Sequence, residues 1–335
     1  MIPNPHDALF RGVFGQLEHA RGMLQSMVPA ELSEALDWAT LSLQPGSFVD
    51  GELRGQHTDL LYAVTRHDGS DVLVYFLFEH RSTVPTGGLM ALRLLRYQTQ
   101  IWERWYADHP EARRLPMIIP LVLYHGAAEW SAPLAFDALL DTPAGARPRI
   151  DPYLVRFEYV LHDLSRISDA ELRDAAMLTS LAKLVEVCFK YARTHEDFLE
   201  ILGRWMDVVR DVAAAPNGLR ALVQVIRYIL EVNEHVRRET LEALVEREVG
   251  PQAKEAIVTV GQQLIEEGRK QGLEQGIEQE RQHVRGMLLR YLRQRFGDAV
   301  QPHSEQRVAT ASREQLDLWL SRLLSGATLE ETFAD

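Results

Sequence analysis

Cysteine is almost absent from this 335-residue chain: Cys188 stands alone, so no internal disulfide can form, and its setting in LAKLVEVCFK marks it as a core residue of a helix. A reducing compartment suits it. Lysine is nearly as scarce, with no residue of that type before Lys183, so chemistry that wants a cation in the first half must use Arg or His. No apolar run approaches the roughly 18 residues of a membrane span, and the opening MIPNPHDALF lacks a basic stretch leading into an apolar one. The expectation is a cytoplasmic protein without a membrane partner. Positive charge is also in deficit: 36 Lys and Arg against 48 Asp and Glu leave a net −12, which excludes a uniformly basic nucleic-acid binder and allows only local patches.

What is present is an ordinary globular composition, 46% apolar and 25% charged, with enough chain for a substantial core. Its two halves differ. Residues from His6 to about Met27 have helical periodicity, with Asp7 in the opening turn, and ELSEALDW reads as helical too. LSLQPGSFVD follows as a strand, and then TDLLYAVTR and VLVYFLFEH read as strands around the turn HDGSD. The stretch from Gly88 to His109 is an amphipathic helix carrying Leu92, Leu95, Ile101, Trp102 and Trp105. LPMIIPLVLYHG and YLVRFEYVLHDL complete the strands, and strand, helix and strand in that order predict an α/β layer. Beyond it nearly everything is helical, with helices expected near 169–192, 195–214 and 218–248. The divisions expected are a layered domain over 1–165, a helical region over 166–250, a Gly/Gln/Glu-rich helical linker over 251–286 and a small helical domain over 287–335. Gly268, Gly272 and Gly276 weaken the linker helix, at about 1 kcal/mol each relative to Ala.

Chemistry concentrates in the hairpin. A turn centred on Gly69 makes Asp59 face Glu79, and strand alternation puts Leu61, Ala63, Tyr75, Leu77 and Arg81 on their side. Two facing carboxylates repel one another, and a divalent cation between them removes that repulsion; oxygen ligands with positions to spare suit magnesium or manganese. Arg81 on the same face could then neutralise charge on a phosphate. The plain alternative is an Asp59–Arg81 structural ion pair, and a one-residue slip of register would separate Asp59 from Glu79 altogether. His57 would face Arg81 across the hairpin. Gln98 falls on the apolar stripe of the long helix, where it could touch a metal-bound water or a DNA backbone, or be a satisfied core amide. Tyr97, Asp7, His125, Asp50 and Glu52 are weaker candidates. Arg93, Arg96 and Arg104 on that helix, and Arg113-Arg114 after it, could meet phosphates.

These residues carry a resemblance. Pro5-His6-Asp7 with Phe10 and Phe14, Ser47-Phe48-Val49-Asp50, Glu52-Leu53, Thr58-Asp59-Leu60-Leu61-Tyr62, Glu79-His80, Leu92 to Tyr97, Ile101-Trp102-Glu103 and Leu123-Tyr124-His125-Gly126 resemble, in that order, the Rpn family. These are recombination-promoting nucleases, also called YhgA-like transposases, of the PD-(D/E)XK nuclease superfamily. The resemblance covers about residues 3–165, and Leu288 to Phe333 is similar to a small helical domain often attached to such proteins. It implies a restriction-endonuclease-like core, a mixed sheet flanked by helices, followed by an all-helical C-terminal region. It further implies a DNA endonuclease linked to recombination, with Asp59 and Glu79 holding magnesium, manganese or calcium being the alternatives. Where the superfamily has lysine and this family usually glutamine, the chain has Arg81, which holds a phosphate or a water but cannot serve as a general base. A lapsed nuclease fold that binds DNA or protein as a regulator is the competing reading. The dense arginines from Arg281 to Arg295 could bind DNA or, with Glu278 and Glu280 beside them, form a salt-bridged helix, so homo-oligomerisation through the C-terminal helices is a further expectation.

Overall fold

The computed structural model describes residues 4–44, 60–68, 74–84, 86–143, 147–255, 258–259, 262, 285–292, 294–297, 306–308 and 311–334. Residues Met1–Gly261 form one compact unit and Gln262–Asp335 another.

Helix α1 (Pro5–Phe14) starts where Asn4 accepts the His6 amide at 3.1 Å and proline occupies the first turn. The single helix expected up to Met27 is in fact two. Gly15 caps α1, Gln16 is extended, and α2 (Leu17–Met27) restarts at a new angle so that both helices can bury their apolar sides. The stretch expected to be helical around ELSEALDW also divides. Only α3 (Ala30–Glu34) is helix; from Leu36 the chain becomes strand β1 (Leu36–Leu43), because pairing with β2 (Leu60–Arg66) outweighs local preference.

Strand β2 pairs antiparallel with β3 (Val74–Arg81), matching Leu60 with Phe78, Tyr62 with Phe76 and Val64 with Val74. This is the register that a turn centred on Gly69 demands. Strand β3 then pairs parallel with β4 (Met117–Tyr124), and β4 parallel with β5 (Val160–Asp163), in a five-stranded mixed sheet ordered β1-β2-β3-β4-β5. A parallel neighbour requires a crossover. Helix α4 (Met90–Asp108) supplies it and covers one face, where Ile101 and Trp105 pack on Leu61, Ala63 and Ile118, and Met90, Leu94 and Tyr97 on Val122 and Tyr124.

The opposite face, with Leu60, Tyr62, Val64, Leu121 and Leu123, joins α1, α2 and the helical region in a single core. After the short α5 (Arg147–Ile150), the helical region is more divided than its periodicity suggests. The 169–192 stretch splits into α6 (Asp169–Asp174), opened by a Ser168–Glu171 capping box, and α7 (Ser180–Val187), restarted by the Thr179 cap. A π-helical turn, Cys188–Ala192, continues α7. Next come α8 (Phe198–Gly203) and α9 (Met206–Ala214), then α10 (Gly218–Val232) and α11 (Arg238–Glu248). Asn217 takes a left-handed conformation, φ 58°, ahead of α10. Asn233 ties the end of α10 down: its side chain donates to the Ala192 and His195 carbonyls and accepts from the His235 and Val236 amides.

In the second unit, α12 (Arg313–Leu324) and α13 (Leu329–Thr332) both open with capping boxes, and Leu288, Leu292, Val308, Trp319 and Phe333 form the core. Its arginines are structural partners: Arg285 donates to the Ala311 carbonyl and Arg295 to those of Leu323 and Gly326.

Helix α2 passes so close to the α6–α7 loop that a Cβ on Gly22 would stand 2.0 Å from the Met177 carbonyl oxygen. Gly203 has nothing within 4 Å. Gly22→Ala should therefore cost about 1–3 kcal/mol by overpacking, although alanine is the better helix former. Gly203→Ala should instead stabilise by up to about 1 kcal/mol. Urea denaturation of both variants checks the opposite signs.

Candidate active site beneath helix α4

The sheet register decides what lies under α4. Glu79 pairs with Val122 of β4 and Arg81 with Tyr124, and both of these β4 residues pack against α4. Positions 79 and 81 of β3 therefore carry the parity of the α4-covered face. From the other side, Leu61 and Ala63 of β2 belong to that face as well, paired with Leu77 and Tyr75. Asp59 and His57, like Asp50 and Glu52, lie outside the described residues. The described pairing ends at Leu60 opposite Phe78, one step short of Asp59.

Gln98 is the polar residue of this face. It is 3% exposed, it sits on α4 between the Leu94–Tyr97 cluster and the Ile101–Trp105 cluster, and its amide nitrogen has no hydrogen-bond partner among the described residues. Buried polar groups are nearly always bonded, and leaving a donor unpaired costs about 1–3 kcal/mol. The fold thus carries an unsatisfied donor on this face that a leucine would not leave. Tyr97, next to it, is buried, and its hydroxyl accepts from Arg93 Nε at 2.8 Å and Nη2 at 2.5 Å. Two of the donors that Arg93 could offer a phosphate are therefore aimed at Tyr97. Arg96, one turn further along, is exposed. Arg104 is exposed too, 3.4 Å from Asp108, a contact that water weakens. Asp7 is half-buried in the first turn of α1, whose apolar side joins the core on the other face of the sheet.

His125 follows β4 directly and is buried, stacked on Phe189 at 4.8 Å and 4.9 Å from His6. His6 was not among the candidates argued from chemistry, although it stands in a motif of its own, Pro5-His6-Asp7, at a helix start. Sequence reasoning also missed His162 and Glu186. Glu186 is fully buried, with Oε1 3.1 Å from His162 Nε2 and its other oxygen unbonded. The signal was there: a lone charge inside the apolar run LVEVCF needs a buried partner. Among the described residues no three His, Cys, Asp or Glu side chains gather as a metal site.

Residues 4–220 match the family model described as "Putative transposase, YhgA-like". The chain is 30% identical over 264 residues to "Recombination-promoting nuclease RpnD" of Escherichia coli O157:H7, covering 78% of this chain and 94% of that protein. It is 28% identical over 269 residues to "Recombination-promoting nuclease RpnA" of Escherichia coli strain K12, with 79% and 85% covered. It is likewise 28% identical over 296 residues to "Inactive recombination-promoting nuclease-like protein RpnE" of the same strain, with 88% and 91% covered. No solved structure matches.

Replacing the unpaired amide by an apolar group of similar size should stabilise the fold. Gln98→Leu is expected to gain about 1 kcal/mol, read as a raised urea midpoint with an unchanged slope. A loss of stability would mean that the amide is satisfied in solution.

Proposed function

The chain belongs to the YhgA-like transposase family, and from that membership we propose that it is a divalent-metal-dependent DNA endonuclease built on a PD-(D/E)XK core. One observation carries the reading from family to site: Gln98, a buried amide with an unpaired nitrogen, on the α4 face whose register positions include Glu79 and Arg81. The names of RpnD and RpnA supply nuclease activity linked to recombination at family level.

The donor chemistry fits a hard dication. Asp59 and Glu79 offer carboxylate oxygens, the ligand type that magnesium and manganese prefer, and Glu79 lies on a strand that pairs with β4 at Val122. When bound, the metal neutralises phosphate charge and lowers the pKa of an attached water. The chain's own groups do the rest. Arg81 holds a non-bridging phosphate oxygen through its fork of donors, which stabilises charge developing as water attacks phosphorus and the P–O bond to the leaving strand breaks. Gln98 gives its unpaired N–H to the attacking water or to the phosphate backbone, and so fixes an orientation without taking a proton. Tyr97 and Arg93 hold one another beside it, while Arg96 and Arg104 meet phosphates further along the strand, with His57 near the hairpin end. None of these residues is a strong base at Arg81's position, so the proton of the attacking water leaves to solvent or substrate.

Plasmid nicking with magnesium, manganese or calcium tests the reading. Asp59→Ala and Glu79→Ala should each lower the metal-dependent rate by about 100-fold or more, as loss of a group acting on the transition state does. A parent that does not cut, or variants that cut as well as it does, would leave only a lapsed nuclease fold. Arg81→Gln is a separate prediction. Removing a cation beside the proposed dication should lower the manganese concentration needed for half-maximal rate, by roughly threefold to tenfold. Loss of cutting instead would show that Arg81 has become essential.

A further inference from the structure

On the other side of the sheet, at the same end, four rings from distant parts of the chain meet. His6 stands at the start of α1, His125 just after β4, Phe189 in the π-helical turn and Tyr228 in α10. The His6 and His125 rings lie 4.9 Å apart, His125 stacks on Phe189 at 4.8 Å, and Phe189 meets the Tyr228 ring edge-on at 5.6 Å. A 2.9 Å hydrogen bond joins His6 Nδ1 to the Tyr228 hydroxyl. Burial pushes that hydroxyl far above its usual titration range, so it keeps its proton at neutral pH. Both imidazoles are 7% exposed.

Apolar side chains would fill this space at lower desolvation cost, so the polar rings contribute direction rather than adhesion. What they direct is the end of β4. Tyr124, the last residue of that strand, registers with Arg81; its hydroxyl donates to the Ala128 carbonyl at 2.6 Å, and its carbonyl accepts from Leu164 at 2.9 Å. Gly126 closes the corner, since a Cβ there would stand 2.1 Å from the Tyr124 hydroxyl. His125 lies between these two pinned residues. The π-helical turn that brings Phe189 to it is itself an uncommon element, found mostly as a single turn within an α-helix and frequently at functional sites.

We infer that His6 and His125 are positioning residues: with Phe189 and Tyr228 they clamp the carboxyl end of β4 to the helical region and so set where β3 holds Glu79 and Arg81. The inference rests on the nuclease reading for its consequence, but not for the clamp. The helical region from α7 to α10 is then part of the site's frame.

Tyr228→Phe in the full chain removes one hydroxyl and keeps the ring; His125→Leu removes the imidazole. Amide hydrogen exchange, thermal melting and metal-dependent nicking are measured on both. If the clamp positions the site, exchange over residues 79–81 and 122–125 should accelerate about fivefold in Tyr228→Phe, with melting shifted by only a few degrees. The nicking kcat should fall about fivefold with KM for DNA unchanged. Exchange that stays unchanged, or that accelerates evenly through the sheet and α10, overturns the clamp, and so does a variant that cuts with the parent's kcat. Localised exchange in a protein whose parent cuts nothing keeps the clamp and removes the nuclease reading instead. Should His125→Leu fail to fold, Tyr228→Phe still decides.

Discussion

Parallel pairing between β3 and β4 is the constraint from which the rest of the layer follows. Eight consecutive register pairs, from Val74 with Met117 to Arg81 with Tyr124, fix the two strands side by side. A chain that returns to run parallel must cross over, and the crossover here is α4, which has to bury its apolar stripe against the sheet it has just left. That one requirement puts Gln98, Tyr97 and Arg93 over the face to which Glu79 and Arg81 belong. It also leaves the second face for α1, α2 and the helical region, so the layer and the helices share one core.

Polar groups inside that core fall into two kinds. Asn233 is fully used, with two donated and two accepted hydrogen bonds that stop α10 and orient the next turn. Glu186 and His162 are a pair, so removing either would strand the other in a medium where an unpaired charge is costly. Gln98 is less fully used than Asn233: among the described residues its amide nitrogen has no partner, and one Glu186 oxygen is likewise unbonded. A fold selected for stability alone would not keep that donor, whereas a site that meets an acceptor from outside has use for it.

Charge follows the same logic. A chain at −12 has no general attraction for nucleic acid, and several described arginines are engaged: Arg93 with Tyr97, Arg285 and Arg295 with backbone carbonyls, Arg173 with Asp207. Arg96 is exposed on α4 without such a role among the described contacts. The scarcity of lysine matters most at residue 81, where the cation is a planar fork that keeps its proton instead of an ammonium that can release one.

Much of the layer was legible before any coordinates, because it follows from period and turn chemistry alone. Alternation along TDLLYAVTR and VLVYFLFEH, with a turn at Gly69, determined the β2–β3 register, and helical periodicity determined α4; of the apolar residues read on that helix Ile101 and Trp105 are buried, Leu95 and Trp102 are partly buried, and Leu92 is exposed, its place in the core taken by Leu94. The stretches misjudged as continuous helix, from His6 to Met27, around ELSEALDW, from 169 to 192, from 195 to 214 and from 218 to 248, share a cause. Helix propensities differ by only about 0–0.7 kcal/mol per ordinary residue, while burying one large apolar side chain is worth about 1.5–3 kcal/mol, so packing breaks helices that local pattern would continue. The meeting of His6, His125, Phe189 and Tyr228 was beyond reach for a further reason: residues 222 positions apart can share a hydrogen bond only after the whole core has chosen its arrangement. The sequence by itself determined the β2–β3 hairpin, its register and the helix that covers it; only the tertiary structure decided where β1 begins, how β3, β4 and β5 pair and which polar residues meet, because that depends on contacts no local pattern encodes.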